Sequence, residues 1–303
     1  ALDIFRMAAI EVSPVLEGEA DFFGKLQLDM SGTRPAELRL STDLEGMAVN
    51  LPAQFGKDQE GRSQSVFDLF FADDYVRIDW QYKETKGWYQ AANGLTEEVS
   101  QGAIGVNASP LVVEPNYEGV VINGRVSKVD LADWVSTDGG AVVNPPVRWQ
   151  IRGLEVDDFI VDDLNFLNLE LSGQGDRSSA VFQVRSQDVF GSIDLSDSSR
   201  LAVDLLTLRL PRWSSDEIAP RGNLDPINLS VGHALPRAKV FVNELIIGKE
   251  PFGRWKFAIS PEVGGVRFDI EDVLVNGVEI KNSALYWDLE RNRSAFSGAT
   301  HMK

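Results

Sequence analysis

From Val240 to Gly298 the chain alternates apolar and polar residues almost without a break. Val240 and Val242, then Trp255, Phe257 and Ile259, then Val266, Phe268 and Ile270, then Leu285, Trp287 and Leu289 hold every second position. Between them stand mostly polar residues: Lys256, Arg267, Asp269, Tyr286 and Asp288. A strand points successive side chains to opposite sides, so this rhythm demands a sheet with one apolar and one wet face. Turn formers separate the runs at Gly248, Glu250-Pro251, Gly253, Pro261, Gly264-Gly265 and Asn276-Gly277, the spacing of an antiparallel meander.

The rest of the chain repeats the rhythm. Leu26, Leu28 and Met30 alternate with Lys25, Gln27 and Asp29, and Leu38 and Leu40 follow. Residues 44–51 read as a strand ended by Pro52, and 53–64 as a loop. Val66–Phe71 is apolar on both faces, whereas Val76, Ile78, Trp80 and Tyr82 alternate cleanly; residues 87–92 and 103–107 suit its partners. Val120–Val126 is a further strand. Later runs are Val147, Trp149 and Ile151; Phe159 and Val161; Leu167, Leu169 and Leu171; Phe182 and Val184; Ile193 and Leu195; Leu201, Val203 and Leu205.

One short helix is predicted over Asp130–Val135, with Asp130 as its N-cap, placed at a rim or an end of the sheet. It stops before Gly139-Gly140, and Asn144-Pro145-Pro146 makes a stiff connector. The expected organisation is a first β segment over 1–127, helix and connector over 128–146, and a second β segment over 147–303 continuous with the first. Residues 212–225 read as a loop. A weak internal echo links Phe159–Phe166 to Val240–Ile247, as in an array of one repeated β unit.

The formal net charge of −17 repels polyphosphate, which makes nucleic acid a poor partner and disfavours loose adsorption to anionic lipid. With no cysteine, disulfides and Cys-based metal or redox sites are excluded. No window approaches about 18 consecutive apolar residues, so no membrane-spanning helix is read. The chain starts without Met, and we expect an excerpt of a longer protein whose targeting segment lies elsewhere.

The carboxylate doublets Asp73-Asp74, Glu97-Glu98, Asp157-Asp158 and Asp162-Asp163 are not catalytic dyads by themselves, because neighbours on a strand point apart. No Asp-rich calcium loop and no G-x-S-x-G elbow occurs, and His233 and His301 are isolated. The sequence therefore suggests no catalytic residue, metal site or cofactor. Nearly twenty candidate strands with almost no helix leave a long apolar face that water will not tolerate uncovered. It can close as a barrel, pack as a sandwich, or curl into a trough. A sandwich brings the alternative of a carbohydrate-binding or adhesin-like module, with Trp88 and Trp213 near loops and exposed.

Three segments resemble the AsmA-like superfamily of Gram-negative envelope proteins, in particular its very long YhdP type. Leu44–Lys57 is similar to the family's LxGlxlxLPxPxgK stretch, with Gln54 in place of the second proline. Ile122–Trp134 resembles GxlxxlDLdxW, and Gly253-Arg254-Trp255-Lys256-Phe257 with Trp287 and Ala295-Phe296-Ser297-Gly298 resembles the C-terminal GxWxF…W…TxFxG repeat. Together these matches span residues 17–298. The resemblance implies an all-β, highly curved antiparallel sheet forming an open apolar groove, and a non-enzymatic carrier of phospholipid between inner and outer membrane. It implies a periplasmic location, an inner-membrane anchor outside this chain, and phospholipid acyl chains as the partner.

Under that implication the groove is lined by Leu26, Leu28, Leu38, Leu40, Val76, Ile78, Trp80, Phe159, Val161, Leu169, Leu171, Phe182, Val184, Leu201, Val203, Val240, Val242, Trp255, Phe257, Phe268, Ile270, Leu285 and Trp287. Periodicity alone leaves open whether these residues fill a dry core or line a lipid-bearing trough.

Overall fold

The computed structural model describes residues 15–31, 34–92, 101–135, 148–161, 164–176, 178–197, 199–211, 236–291 and 293–302. The chain divides into two compact units, Ala1–Arg177 and Ser178–Lys303. Both are curved β ladders, as the alternation requires.

The first unit contains β1 (Leu16–Gly18), β2 (Phe23–Gln27), β3 (Ala36–Thr42), β4 (Met47–Val49), β5 (Ser65–Phe71), β6 (Tyr75–Tyr82), β7 (Thr85–Ala92), β8 (Gln101–Val106), β9 (Gly119–Asp130), β10 (Trp149–Val161) and β11 (Leu164–Gly175). Nine of them form a ladder in the order β2-β3-β5-β6-β7-β8-β9-β10-β11, while β1 pairs with β4 apart from it. The segment predicted as a strand over 44–51 is therefore only three residues of strand. The polar stretch after it carries a 3-10 turn, Ala53–Phe55.

The second unit carries β12 (Ala180–Arg185), β13 (Val189–Asp197), β14 (Arg200–Leu210), β15 (Ala238–Ile247), β16 (Glu250–Glu262), β17 (Gly265–Val275), β18 (Val278–Asp288) and β19 (Arg293–Met302), paired in chain order. The long opening stretch folds as the predicted meander. Its clearest turn is Asn276-Gly277, with φ of 49° and 82° between Val275 and Val278, which face each other. Two successive positive φ angles suit the right-handed twist of a two-residue hairpin.

The pairing departs from a purely antiparallel sheet at three joints: β8 with β9, β9 with β10, and β14 with β15 are parallel. Parallel neighbours need a crossover of a dozen or more residues. The chain supplies residues 107–118, 131–148 and 211–237 at those places.

The alternation also slips by one residue next to two of these joints. Val126 and Val156 are buried, the polar Ser127-Lys128 and Asp157-Asp158 follow, and then come Val129 and Phe159, paired with each other and half-buried. On β11 the matching step lies between buried Leu169 and half-buried Phe166, through Asn168 at φ 51°. In the second unit, Leu205 and Val242 are followed three residues later by Leu208 and Leu245.

The internal echo does not describe a repeated unit. Phe159 and Phe166 sit opposite each other across a hairpin, whereas Val240–Ile247 is a single strand. The predicted helix is α1 (Leu131–Val135), where β9 ends; the Ala132 amide donates to the Asp130 carboxylate at 3.2 Å, the expected cap. Asn144-Pro145-Pro146, the loop over 212–225, Glu97-Glu98, Asp162-Asp163, Trp213 and His233 lie outside the described residues.

Candidate lipid-binding face

Register places most of the sequence-predicted lining on one face of each ladder; Phe159 and Val161, at odd offsets from Val156, are the exceptions. In the first unit one row runs Leu26, Leu38, Leu69, Ile78, Tyr89, Gly102 across successive strands. The next row runs Leu40, Phe67, Trp80, Gly87. Val76 lies opposite Phe71 and Ala91 on the same face, and Leu28 lies just past the end of β2. Leu169 and Leu171 join it through Val156 and Leu154. Phe159 and Val161 lie beyond the slip, opposite Phe166 and Leu164, and are half-buried there.

In the second unit one row runs unbroken over seven strands: Phe182, Ile193, Val203, Val240, Phe257, Ile270, Ser283. Beside it run Val184, Gly191, Leu205, Val242, Trp255, Val273, Ile280 on one side. On the other run Leu201, Ala238, Ile259, Phe268, Leu285 and Phe296. Trp287 lies opposite Val266. The rings of Phe257 and Phe268 meet at 6.3 Å, tilted 53°. Three adjacent apolar rows make a continuous hydrocarbon-compatible strip.

Burial separates these residues. Val76, Ile78, Leu169, Val184 and Val242 are buried. Leu26 and Leu28 are each 59% exposed. The other sixteen are half-buried, among them Phe182, Val203, Val240, Phe257 and Ile270 of the seven-strand row. A residue at the centre of a dry core is normally shut off altogether. Phe257, Phe268 and Ile270 have strand neighbours on both sides and still reach open space.

The opposite face is wet and charged. Arg254 pairs with Asp272 at 2.5 Å, Lys256 with Glu271 at 2.7 Å and Arg267 with Asp269 at 2.8 Å. The hydrogen bond from Lys256 holds the Glu271 carboxyl below its ordinary range, against a smaller opposing effect of burial. On the first unit, Arg39 meets Asp68, and Arg125 bridges to Asp157. Asp158 instead accepts from the Asn165 side-chain amide at 3.1 Å, so this doublet is engaged in structure. Asp73 and Asp74 are exposed in the turn between β5 and β6.

Sequence reasoning missed a second, smaller core on that wet face. Residues 107–118 fold back so that Val113 joins Ala103 and Val121, with Trp88 and Tyr117 packed against them. Asn123 fixes the loop through the Leu111 amide and the Ser109 carbonyl, and Gln101 donates to the Glu114 and Pro115 carbonyls. A cleft of about 910 Å³ lies under this strap, with Arg39, Asp68, Arg77, Asp79 and Lys86 on one side and Leu111, Val112 and Val113 on the other. The apolar triplet Leu111-Val112-Val113 within a loop is the signal that would have found it. Trp88 is not a free sugar platform: it is half-buried on β7, with the Arg77 guanidinium 4.5 Å above its ring.

At one end of the first unit's apolar face the character changes. Thr42, Ser65, Tyr82 and Thr85 form the row beyond Trp80. The 3-10 turn lies against them, with the Tyr82 hydroxyl donating to the Phe55 carbonyl at 3.0 Å. Lys83 donates to the Gln54 carbonyl at 3.0 Å and also to that of Gly56. Burial pushes the Tyr82 hydroxyl up to about 12. The Leu44–Lys57 stretch is thus the segment that covers this end of the sheet.

Fold and face together define a class: an all-β protein built on large curved, two-faced sheets whose apolar side stays partly open. The family model described as YhdP protein matches residues 5–300, and the chain belongs to that AsmA-like, lipid-transport family of the cell envelope. No curated protein and no solved structure matches it significantly. Among the described residues no helix is long and apolar enough to cross a membrane.

Proposed function

We propose that this chain is a stretch of a carrier along which phospholipid moves between inner and outer membrane, acyl chains on the apolar face and headgroup in water. A chain of about 16 carbons in water costs on the order of 12 kcal/mol, at roughly 0.8 kcal/mol per CH₂. A continuous apolar strip removes most of that barrier, and no bond has to be made or broken. The work is non-enzymatic: the sheet lowers a transfer barrier and directs diffusion along one line. The protein acts in the periplasm, with its membrane attachments outside this segment.

The observation that carries the reading is the half-open state of the seven-strand row in the second unit, where Phe257 and Ile270 sit mid-sheet without being sealed. Family membership supports the cargo. The test is Phe257→Asp, read by urea unfolding and by mass spectrometry of copurified lipid. A chain that stays folded and loses its phospholipid is the expected result. Should the variant unfold outright, the face is a packed core and the reading falls.

A further inference from the structure

Two polar groups on the first unit's apolar face lack an obvious purpose in the fold. Trp80 and Tyr89 lie on adjacent strands with their rings stacked, centroids 6.2 Å apart and planes 17° from parallel. Each covers a glycine across the ladder: a Cβ on Gly87 would come within 2.6 Å of the Trp80 ring, and one on Gly102 within 2.7 Å of Tyr89. The missing side chains are what let both rings lie flat on the sheet.

The Trp80 indole N–H is buried with no hydrogen-bond partner among the described residues. Tyr89 is half-buried beside it, and burial pushes its hydroxyl up to about 12, so it stays a neutral donor at any physiological pH. A buried donor left unpaired costs about 1–3 kcal/mol, and native proteins rarely tolerate one without reason. A phenylalanine at position 80 would keep an aromatic contact without that penalty.

Their position is specific. Leu69 and Ile78 share the Tyr89 row and Val76 lies one row beyond it, all three buried and apolar. On the other side begins the hydroxyl-bearing row of Thr42, Ser65, Tyr82 and Thr85. The aromatic donors therefore mark the border between the hydrocarbon and polar zones of one face. Tyr and Trp suit such borders, presenting an apolar body and a single polar handle.

We infer that Trp80 and Tyr89 form a station for the ester carbonyl of an acyl chain, donating to the oxygen where hydrocarbon gives way to glycerol. The inference rests on the carrier reading and adds a chemical preference to it. An apolar strip alone treats all tails of equal length alike, whereas a paired donor site holds an acyl ester and passes over an alkyl ether. The indole N–H is closed to solvent, so its acceptor arrives with the ligand and displaces whatever packs on the ring.

The experiment compares binding of a diacyl phosphatidylethanolamine and its dialkyl ether analogue to the full chain, by native mass spectrometry and by displacement of a fluorescent lipid. Palmitate is a third probe, to separate an esterified carbonyl from a free carboxylate. The expected result is a preference of about three- to tenfold for the diester over the diether, the usual size of one net hydrogen bond. Trp80→Phe and Tyr89→Phe, checked for folding by thermal melting, each bring the ratio towards one. Equal binding of diester and diether by the unmodified protein overturns the station and leaves the carrier intact. Palmitate held more tightly than the diester assigns the donors to a free acid and overturns the ester reading. Failure to bind any of the three removes both proposals.

Discussion

The two units carry the same alternation and treat it differently. In the first, Leu69, Val76, Ile78 and Ala91 are between 2% and 8% exposed, and a tight aromatic stack fills the neighbouring rows. In the second, the corresponding middle of the sheet, Val203, Val240, Phe257 and Ile270, is only half-buried. The difference follows from what the rows contain. Glycines at 87 and 102 let large rings lie flat against the first face, and the 3-10 turn covers its end. In the second unit Val203, Val240, Phe257 and Ile270 follow one another across four strands, and this strip stays half-open. Identical periodicity thus yields a more tightly buried strip in one place and a half-open one in another.

Charge insertion is the hardest blow to that contrast. Ile78→Asp buries a carboxylate with no partner and should unfold the first unit, a loss above about 4 kcal/mol by urea denaturation. Phe257→Asp should leave a folded chain. If both variants behave alike, the contrast is wrong.

Truncation probes the same point more gently. Leu69→Ala, at a site 2% exposed, should cost about 2–5 kcal/mol through lost burial and a cavity. Ile270→Ala should cost roughly half as much, because part of that side chain already faces open space. Chemical denaturation of the two variants side by side sharpens the comparison.

The first unit should also have its own alkaline limit. The Tyr82 and Tyr89 hydroxyls are raised to about 12 by burial, above the value of about 10 expected in an unfolded chain. The folded state then holds its protons longer, so the stabilisation is complete below pH about 10 and is lost as pH rises through about 12. Tyr89→Phe should flatten that fall, seen in thermal melts across the range. A polar-face substitution in the second unit, Lys256→Met, should do least: the pair with Glu271 is solvent-exposed, and the melting temperature should not change measurably.

Much of the fold was legible because strands announce themselves locally. The meander from Val240 and the Asn276-Gly277 turn follow from residue order alone. The parallel joints were not legible, since nothing in β8, β9 or β14 names its partner; only the length of the following connection hints at it. The slips were missed because a strict period of two treats Ser127-Lys128 or Asn243-Glu244 as an interruption. In the structure half-buried Val129 follows the first doublet, and half-buried Leu245 with buried Ile246 follows the second. Openness was beyond reach, because Ile78 and Phe257 look the same in a pattern of apolar and polar letters.

The parallel joints carry a consequence for how the chain reaches this state. Hairpins such as β6–β7 or β17–β18 close over a few residues and can form within microseconds. The β14–β15 joint must wait until residues 211–237 have looped back, and β9–β10 until 131–148 have done so. Loop closure is unfavourable before any contact rewards it, so non-local pairings come late and slow the whole process. A nascent chain will therefore expose the unpaired flank of β14 while it waits, and that strand is the place where a chaperone or an aggregate would first take hold.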